Sequence, residues 1–248
     1  MSTFRQLLQP GAAAECVDSA NNCNVIDHPG GVYTVLRSID SGRRLVEIDT
    51  HIRRLVTSAG SKFGAEFSDD AARALQDGFL GLLCAAGPSL APSEADRRYT
   101  VVVDRAGGVA GQFHLLCSSD AIPAPPASGE VDVLYLRRPD PQTKSVAWAL
   151  QREEAEQLKR PSSNDVVIAD EGGRLYEGLS SNFAVLDRGN RLITAPTTDV
   201  LCGTIMEVVK LVARELGIEV VEDFPLLSEL GSYEGCFLTS TSRLVLPI

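Results

Sequence analysis

The first half of the chain changes from a strand-like to a helical pattern of apolar positions. Residues 30–38, GGVYTVLRS, have the two-residue alternation of a strand, and LVEID at 45–49 follows a turn as a second strand. Residues 1–29 contain scattered Pro, Gly and Asn without periodicity and are predicted to be irregular.

Two amphipathic helices are predicted next. Thr50 is expected to cap the first, in which Ile52 and Leu55 share a face. Ser68 opens the second, and Gly87-Pro88 ends it. The inner stripe of this second helix consists of Leu75, Phe79, Leu82 and Leu83.

Strands at 98–104 and 112–118 complete a small α+β unit. The segment AIPAPPASG at 121–129 combines three prolines with small residues, a composition typical of a linker. The sequence therefore predicts an N-terminal domain over 1–120 and a larger domain over 130–248.

The second half mixes short strands with two helices and a short acidic helical segment, LLSELG, at 226–231. A strand at 131–136 precedes helices at 145–159 and 204–216, and Gly217 stops the latter. Further short strands are predicted at 164–170, 174–177, 181–187, 191–195, 218–222, 235–240 and 243–248. The fold class expected is α/β (α+β), in two domains.

Composition narrows the choice of partners. The chain has 248 residues, a net charge of −10 and 44% hydrophobic residues, so it is a globular chain with no basic surface for nucleic acid. No apolar run approaches the ~18 residues of a membrane span, and the N-terminus lacks a signal-peptide core. A cytoplasmic protein without a membrane partner is expected.

The six cysteines form no CxxC pair and no cluster with the three histidines, so no metal is expected. Cys16 and Cys23 could form a disulfide, although reduced thiols are the simpler interpretation. Four cysteines in apolar contexts are predicted to be buried, reduced thiols: Cys84, Cys117, Cys202 and Cys236.

Residues 140–182 contain two groups that together suit pyridoxal phosphate chemistry. Lys144 ends a proline-punctuated loop and precedes a helix, which projects its amine from a fixed backbone point. Glu177 opens a Gly-Leu-Ser-Ser-Asn turn. Taken singly, each is more often a solvated surface group. Together, an amine can condense with an aldehyde and a carboxylate can hold a ring nitrogen protonated.

Three further places could bind a phosphate. Gly203 leaves the N–H groups of Thr204 and Ile205 at the positive end of a helix. Thr241 lies in a hydroxyl-rich strand end, and Arg54 lies on the first helix. Each alone has an ordinary structural explanation.

The order of these signals resembles the class IV (fold type IV) pyridoxal-phosphate-dependent aminotransferases. That family includes branched-chain aminotransferases, D-amino-acid aminotransferases and aminodeoxychorismate lyase. The resemblance extends from about residue 30 to the end of the chain. It is carried by GVYTVLR, HIRRLVTSA, Lys144 with its trailing helix, YEGLSSNFAVLD, LCGTIMEVVKLVARELGIEVVE and EGCFLTSTSRLVLPI.

The resemblance implies roles for these residues. Lys144 would be the catalytic Schiff-base lysine, and Glu177 would bind the ring nitrogen of pyridoxal 5′-phosphate. The phosphate ligands would be Arg54, Thr204, Ile205 and Thr241. Ser180, Ser181 and Asn182 would shape the turn beside the ring. Tyr33 would stand on the substrate side, and Arg105 would bind a substrate carboxylate unless it is simply a turn arginine. A homodimer is the expected assembly.

The chain departs from the family pattern in several places. Ser145 to Trp148 replace the usual Asn-Tyr or Asn-Leu pair after the lysine, so Trp148 either substitutes for a phenol or is a core residue. Met206 stands where an arginine is usual. Members commonly continue beyond a strand like 243–248, so a short branch or a truncated product is expected. The usual opening hairpin is expected to be missing.

The leading hypothesis is an aminotransferase that moves an amino group between an amino acid and a 2-oxo acid by a ping-pong Schiff-base mechanism. One alternative is a lyase of the aminodeoxychorismate type, and another is a catalytically silent homologue that serves as a binding protein. The choice between L- and D-amino acids, and the substrate side chain, stay open.

Overall fold

The computed structural model describes residues 3–9, 12, 15–17, 24–86 and 96–248. The chain divides into two compact units. Unit 1 contains residues 1–123 and 143–150, and unit 2 contains residues 124–142 and 151–248. The division falls within the proline-rich segment at 121–129. The segment 143–150, which carries Lys144, belongs to unit 1 although it was predicted as part of the larger domain.

Unit 1 contains a six-stranded sheet in the order β2-β1-β6-β5-β3-β4. Its strands are β1 (Thr3–Leu7), β2 (Glu15–Val17), β3 (Val32–Ile39), β4 (Arg44–Leu45), β5 (Arg97–Arg105) and β6 (Phe113–Ala121). All the pairings are antiparallel. The predicted strands at 30–38, 98–104 and 112–118 are confirmed.

Two helices, α1 (Ile48–Phe63) and α2 (Asp69–Ala86), supply much of the core of unit 1. The Ser68 hydroxyl accepts a hydrogen bond from Ala71 N at 3.2 Å, which is the predicted N-cap of α2. The predicted inner stripe of α2 is buried: Leu75, Phe79, Leu82 and Leu83. The predicted stop at 87–88 lies outside the described residues.

Four predictions for unit 1 were wrong. Residues 1–29 are not wholly irregular, because β1 pairs with both β2 and β6, and this β1–β2 pair is the opening hairpin that was expected to be missing. The strand predicted at 45–49 ends at Leu45, since α1 begins at Ile48. Thr50 is therefore inside α1, where its hydroxyl donates to Glu47 Oε2.

Unit 2 contains the remaining strands. Its eight-stranded sheet has a main path in the order β12-β11-β10-β9-β8-β7, while β13 pairs with β10 and β14 pairs with β13. These strands are β7 (Val131–Tyr135), β8 (Asp165–Ala169), β9 (Leu175–Gly178), β10 (Asn182–Leu186), β11 (Arg191–Thr194), β12 (Glu219–Glu222), β13 (Gly235–Ser240) and β14 (Leu244–Pro247). The predicted α/β (α+β) class is confirmed.

The helices of the second half differ from the prediction in one place. The single helix expected at 145–159 is two short helices, α3 (Val146–Gln151) and α4 (Glu153–Leu158). Helix α5 (Thr204–Glu215) ends as predicted, because Gly217 adopts φ +73°. The N–H groups of Gly217 and Ile218 donate back to Arg214 O and Ala213 O, an arrangement that satisfies the last carbonyls of the helix.

Two of the cysteine predictions were wrong. Cys117 is buried and Cys236 is half-buried, whereas Cys84 and Cys202 are exposed. Cys84 lies on the outer face of α2, and Cys202 lies in the loop before α5. Cys23 and the side chain of Cys16 lie outside the described part of the chain. No helix among the described residues is both long and apolar enough to span a membrane.

Candidate active site

The Lys144 segment is attached to the beginning of β3 within unit 1. Tyr33 N donates to Lys144 O at 3.0 Å, and Val146 N donates to Gly31 O at 3.0 Å. A Cβ on Gly31 would lie 2.9 Å from Val103 O, which is closer than side chains approach a carbonyl, so this position requires glycine. Backbone hydrogen bonds on both sides therefore fix the point from which the Lys144 side chain extends.

Helix α1 presents two serines to the same segment. Lys144 N donates to Ser58 Oγ at 3.2 Å, and the Thr143 and Ser61 hydroxyls are 3.3 Å apart. Ser58 is buried, and the half-buried Lys144 places its Nζ 4.7 Å from the centroid of the Tyr33 ring. This distance is within the range of a cation–π contact. The structure thus brings together Lys144 and Tyr33, two of the predicted site residues.

Arg54 and His51 form a polar cluster one turn apart on α1. Arg54 Nη2 donates to Thr34 Oγ1 at 2.7 Å and lies 3.2 Å from His51 Nδ1, which in turn is 2.8 Å from Thr34 Oγ1. A guanidinium has only donors, so we assign Nδ1 as the acceptor and place the imidazole proton on Nε2. His51 Nε2 is buried and has no hydrogen-bond partner among the described residues.

Burial keeps His51 neutral. The ring is fully buried, and its pKa falls from 6.5 to about 2, mainly through desolvation and further through the charges of Arg54 and Lys144. Sequence reasoning nominated Arg54 and missed His51. The spacing His-x-x-Arg on one helix face was the available signal.

Glu177 lies in unit 2, on β9, and its buried carboxylate accepts hydrogen bonds from a guanidinium and a backbone amide. Arg138 Nη1 donates to Oε1 at 2.9 Å, and Leu201 N donates to Oε2 at 3.1 Å. A buried carboxylate held by a guanidinium and a backbone amide stays in a defined orientation. Sequence reasoning missed Arg138, which lies 39 positions before Glu177.

The turn after Glu177 is tightly packed. Gly178 N donates to Ser181 O at 2.8 Å, and a Cβ at Gly178 would overlap Ser181 Oγ, so only glycine fits. The hydroxyls of Ser180 and Ser181 both donate to Asp165 Oδ2, at 2.9 and 2.8 Å. Asn182 Nδ2 donates to Leu201 O at 2.7 Å, which links this turn to the loop before α5.

The first turn of α5 begins against the same asparagine. Gly203 is the N-cap, and a Cβ there would overlap Asn182 Oδ1. Thr204 and Ile205 follow, and a helix start leaves its first N–H groups without partners inside the helix. Met206, the departure from the expected arginine, is buried in an apolar cluster of Ala184, Leu192, Met206 and Ala213.

The strand end at β13 contains two threonines of different character. Thr241, the nominated residue, is half-buried in the turn between β13 and β14. Thr239 is buried, and its hydroxyl has no hydrogen-bond partner among the described residues. Thr239 lies opposite Asn182 in the β10–β13 pairing. Sequence reasoning did not single out Thr239.

Arg105 is engaged by an acidic side chain in unit 1. Its Nε and Nη2 donate to the two carboxylate oxygens of Glu66 at 3.0 and 3.1 Å, and its guanidinium lies 5.1 Å from the Phe63 ring centroid. The hydrogen bond from Arg105 lowers the pKa of Glu66. This geometry favours the interpretation of Arg105 as a structural turn arginine.

Trp148 is buried on α3, and its backbone N donates to Ser145 Oγ at 3.4 Å. The residues after Lys144 therefore form the capped start of a helix. Lys144, Tyr33, Arg54 and Trp148 belong to unit 1, whereas Glu177 and the α5 and β13 residues belong to unit 2.

Comparison with known proteins identifies relatives of one kind. The sequence model of the amino-transferase class IV family matches residues 31–248. A Methanocaldococcus jannaschii protein provisionally named a branched-chain-amino-acid aminotransferase is 28% identical over 137 residues, which are 52% of this chain and 48% of that protein. The chain thus aligns with about half the length of this curated relative.

Solved structures show the same fold. A branched-chain aminotransferase from the thermophilic archaeon Thermoproteus uzoniensis, solved with norvaline, has a TM-score of 0.76 at 21% identity, covering 100% of this chain and 86% of that one. A hypothetical aminotransferase from Mycobacterium tuberculosis in its PLP-bound form has a TM-score of 0.67 at 19% identity, covering 99% and 89%. The family match spans most of the chain, and the chain belongs to the class IV aminotransferase family.

Proposed function

We propose that this protein is a pyridoxal-phosphate-dependent aminotransferase that moves an amino group between an amino acid and a 2-oxo acid in a ping-pong reaction. The observation that carries the proposal is the presentation of Lys144. Its carbonyl accepts a hydrogen bond from Tyr33 N, its N–H donates to Ser58 Oγ, and the nearby Val146 N donates to Gly31 O. Its amine lies over the Tyr33 ring. Such fixation suits a nucleophilic amine that must meet a carbonyl carbon repeatedly.

The residues of unit 2 fit the cofactor by the chemistry of their donors and acceptors. Gly203 has no side chain over the first turn of α5, where the Thr204 and Ile205 N–H groups suit a phosphate. The buried Thr239 hydroxyl, which has no hydrogen-bond partner within the described part of the chain, is a further polar group that a ligand could satisfy. Glu177 offers a buried carboxylate for a protonated ring nitrogen.

We assign the roles as follows. Lys144 provides the amine that attaches the cofactor, and it then moves a proton from and to the α-carbon of the substrate. Glu177, oriented by Arg138, holds the ring nitrogen. When bound, pyridoxal phosphate supplies an electron-poor ring that stabilises negative charge on that α-carbon.

The phosphate ligands that we propose are the guanidinium of Arg54, the amides of Thr204 and Ile205, and the hydroxyl of Thr241. Because His51 is neutral, the positive charge of the Arg54–His51 pair lies on the Arg54 guanidinium. Ser181 and Asn182 act by shaping the turn, since their polar groups bond to Asp165 and Leu201. Tyr33 remains our candidate on the substrate side, and we assign Arg105 no role there.

The substrates to test first are branched-chain amino acids with their 2-oxo acids, because relatives of this chain carry that name. A cytoplasmic homodimer is the form in which we expect the enzyme to act, by resemblance to its family. Both expectations are independent of the proposed chemistry, which would stand if either of them were wrong.

Absorbance spectroscopy tests the function. Wild-type protein incubated with pyridoxal phosphate is expected to gain visible absorbance, and this band should bleach when an amino donor is added and return with a 2-oxo acid. Lys144→Ala should abolish turnover, while Lys159→Ala, outside the proposed site, should not. Normal turnover by Lys144→Ala would refute the proposal.

A second variant tests the Arg138–Glu177 pair. Removing one partner of a buried ion pair typically costs about 3–5 kcal/mol, because the remaining charge loses that compensation. Arg138→Met is therefore expected to lower the unfolding midpoint and to weaken cofactor binding together. If unit 2 keeps its wild-type stability in this variant, the pair does not have the energetic importance assigned to it.

A further inference from the structure

Asp165, at the beginning of β8, is a buried carboxylate that sequence reasoning did not single out. Its side chain is only 4% exposed. Its Oδ2 accepts hydrogen bonds from Ser180 Oγ at 2.9 Å, Ser181 Oγ at 2.8 Å and Arg243 Nη1 at 3.0 Å. One oxygen atom thus joins two segments that are about sixty residues apart in the sequence.

Arg243 connects Asp165 to the turn between β13 and β14. Its Nη2 donates to Asn164 O at 2.9 Å, and its backbone N donates to Ser240 Oγ at 3.2 Å. The next residue, Leu244, adopts φ +57°, a conformation that is unfavourable for a residue other than glycine because its Cβ crowds the backbone carbonyl. The arginine fork therefore anchors a strained turn to the start of β8.

Electrostatics makes the two residues interdependent. A carboxylate taken out of water requires a compensating charge and hydrogen bonds to its oxygens. Among the described residues, Arg243 is the cation that contacts Asp165. Its Nη1 donates to Asp165 and its Nη2 donates to the carbonyl of the preceding residue, Asn164, so both bonds are made at the start of β8. The Nη1 and Nη2 groups of Arg243 therefore donate to protein atoms.

We propose that Asp165 and Arg243 form a positioning pair for the cofactor's phosphate. The pair holds the turn after Glu177, through Ser180 and Ser181, in register with the turn that carries Thr241. Arg243 acts through Thr241 and the turn backbone and is not itself a phosphate ligand. This inference rests on the proposed pyridoxal phosphate function and adds two residues that the family resemblance did not supply.

The test compares pyridoxal 5′-phosphate with pyridoxal, which has the same ring and aldehyde but no phosphate. Dissociation constants are measured by absorbance for wild type, Asp165→Asn, Arg243→Met and the double variant. Each single variant is expected to bind pyridoxal phosphate about tenfold more weakly, by analogy with the loss of a group that orients a direct ligand at a metal site. The affinity of each single variant for pyridoxal should change by about threefold or less. The double variant should bind pyridoxal phosphate at least as tightly as the single variant that has the lower affinity, because the two residues act as one pair.

A matched control uses another arginine of unit 2. Arg174 forms an ion pair with Asp170 and is more than half exposed, so Arg174→Met should bind both ligands like wild type. The double variant also controls for misfolding of the single variants, because it removes both charges and so leaves neither of them buried without its partner. Amide hydrogen exchange of the ligand-free proteins gives an independent measurement: exchange at 179–182 and 240–244 should accelerate in Arg243→Met and stay unchanged in Arg174→Met.

The outcomes separate this inference from the proposed function. Wild-type protein that does not bind pyridoxal phosphate would refute the function. If wild type binds, the inference is overturned when Arg243→Met or the double variant binds pyridoxal phosphate as tightly as wild type. It is also overturned when Asp165→Asn binds at least as tightly as wild type while Arg243→Met loses affinity, because Arg243 would then be a direct phosphate ligand.

Discussion

The buried histidine of α1 should make the folded protein sensitive to mild acid. In the folded state the pKa of His51 is lowered from 6.5 to about 2 by burial, then by Arg54 and Lys144. The unfolded chain therefore binds a proton below pH 6.5 that the folded protein cannot accept. The stabilising contribution is fully present above pH 6.5 and is lost progressively as the pH falls.

The size of this effect follows from the two pKa values. Each pH unit below the unfolded pKa removes about 1.4 kcal/mol, so a change from pH 7 to pH 5.5 should lower the free energy of unfolding by about 1 kcal/mol. The result hardly depends on the folded value, because His51 stays neutral at pH 5.5 for any pKa well below it. The lower pH is chosen to remain above the isoelectric point of about 4.8 that the sequence implies, because solubility is poorest near zero net charge.

Urea unfolding at the two pH values, at fixed protein concentration, measures the effect. The protein has a single tryptophan, Trp148, which is buried in the same unit as His51, so its fluorescence reports the unfolding of that unit. The comparison is with His51→Gln, which keeps a polar side chain but cannot titrate. His114→Gln is the control, because His114 is only half-buried and its pKa is lowered chiefly by partial burial.

Wild type should lose about 1 kcal/mol more than His51→Gln between pH 7 and pH 5.5, and His114→Gln should retain most of the wild-type loss. Equal losses in wild type and His51→Gln would show that His51 is charged, or accessible to water, in the folded protein. That result would refute the assignment of a neutral imidazole that accepts from Arg54 through Nδ1.

Two further substitutions test packing. Gly203→Ala should lower both the unfolding midpoint and the cofactor affinity, because the added methyl overlaps Asn182 Oδ1, whereas Gly231→Ala has open space and should change neither. Thermal and binding titrations that are the same for both variants would contradict this reasoning. Phe79→Ala should destabilise unit 1 by about 3–5 kcal/mol as a fully buried side chain. Its neighbour Leu80→Ala, more than half exposed, should stay within about 0.5 kcal/mol in the same urea titration.

Local patterns predicted most of the secondary structure. The inner stripe of α2, the Ser68 cap and the Gly217 stop of α5 are interactions between residues a few positions apart, so the sequence displays them directly. The errors arose where distant pairing outweighs local preference. Strand β1 has little periodicity of its own and exists because its backbone pairs with β6, more than one hundred residues later.

The candidate site divides in the same way. Family resemblance in short motifs identified Lys144, Glu177 and the start of α5 as candidate parts of the site. The partners that orient these groups were not visible: Ser58 lies 86 positions from Lys144, and Arg138 lies 39 positions from Glu177. No periodicity links residues so far apart, because their proximity is produced by the tertiary fold.

By itself, the sequence determined the strands and helices that depend on neighbours, the acidic globular character of the chain and the family to which it belongs. Only the tertiary structure decided which polar side chains are buried together, such as His51 with Thr34 and Asp165 with Arg243. The physical reason is that burial and charge pairing are properties of groups brought together in space. A residue's neighbours in the sequence do not specify them.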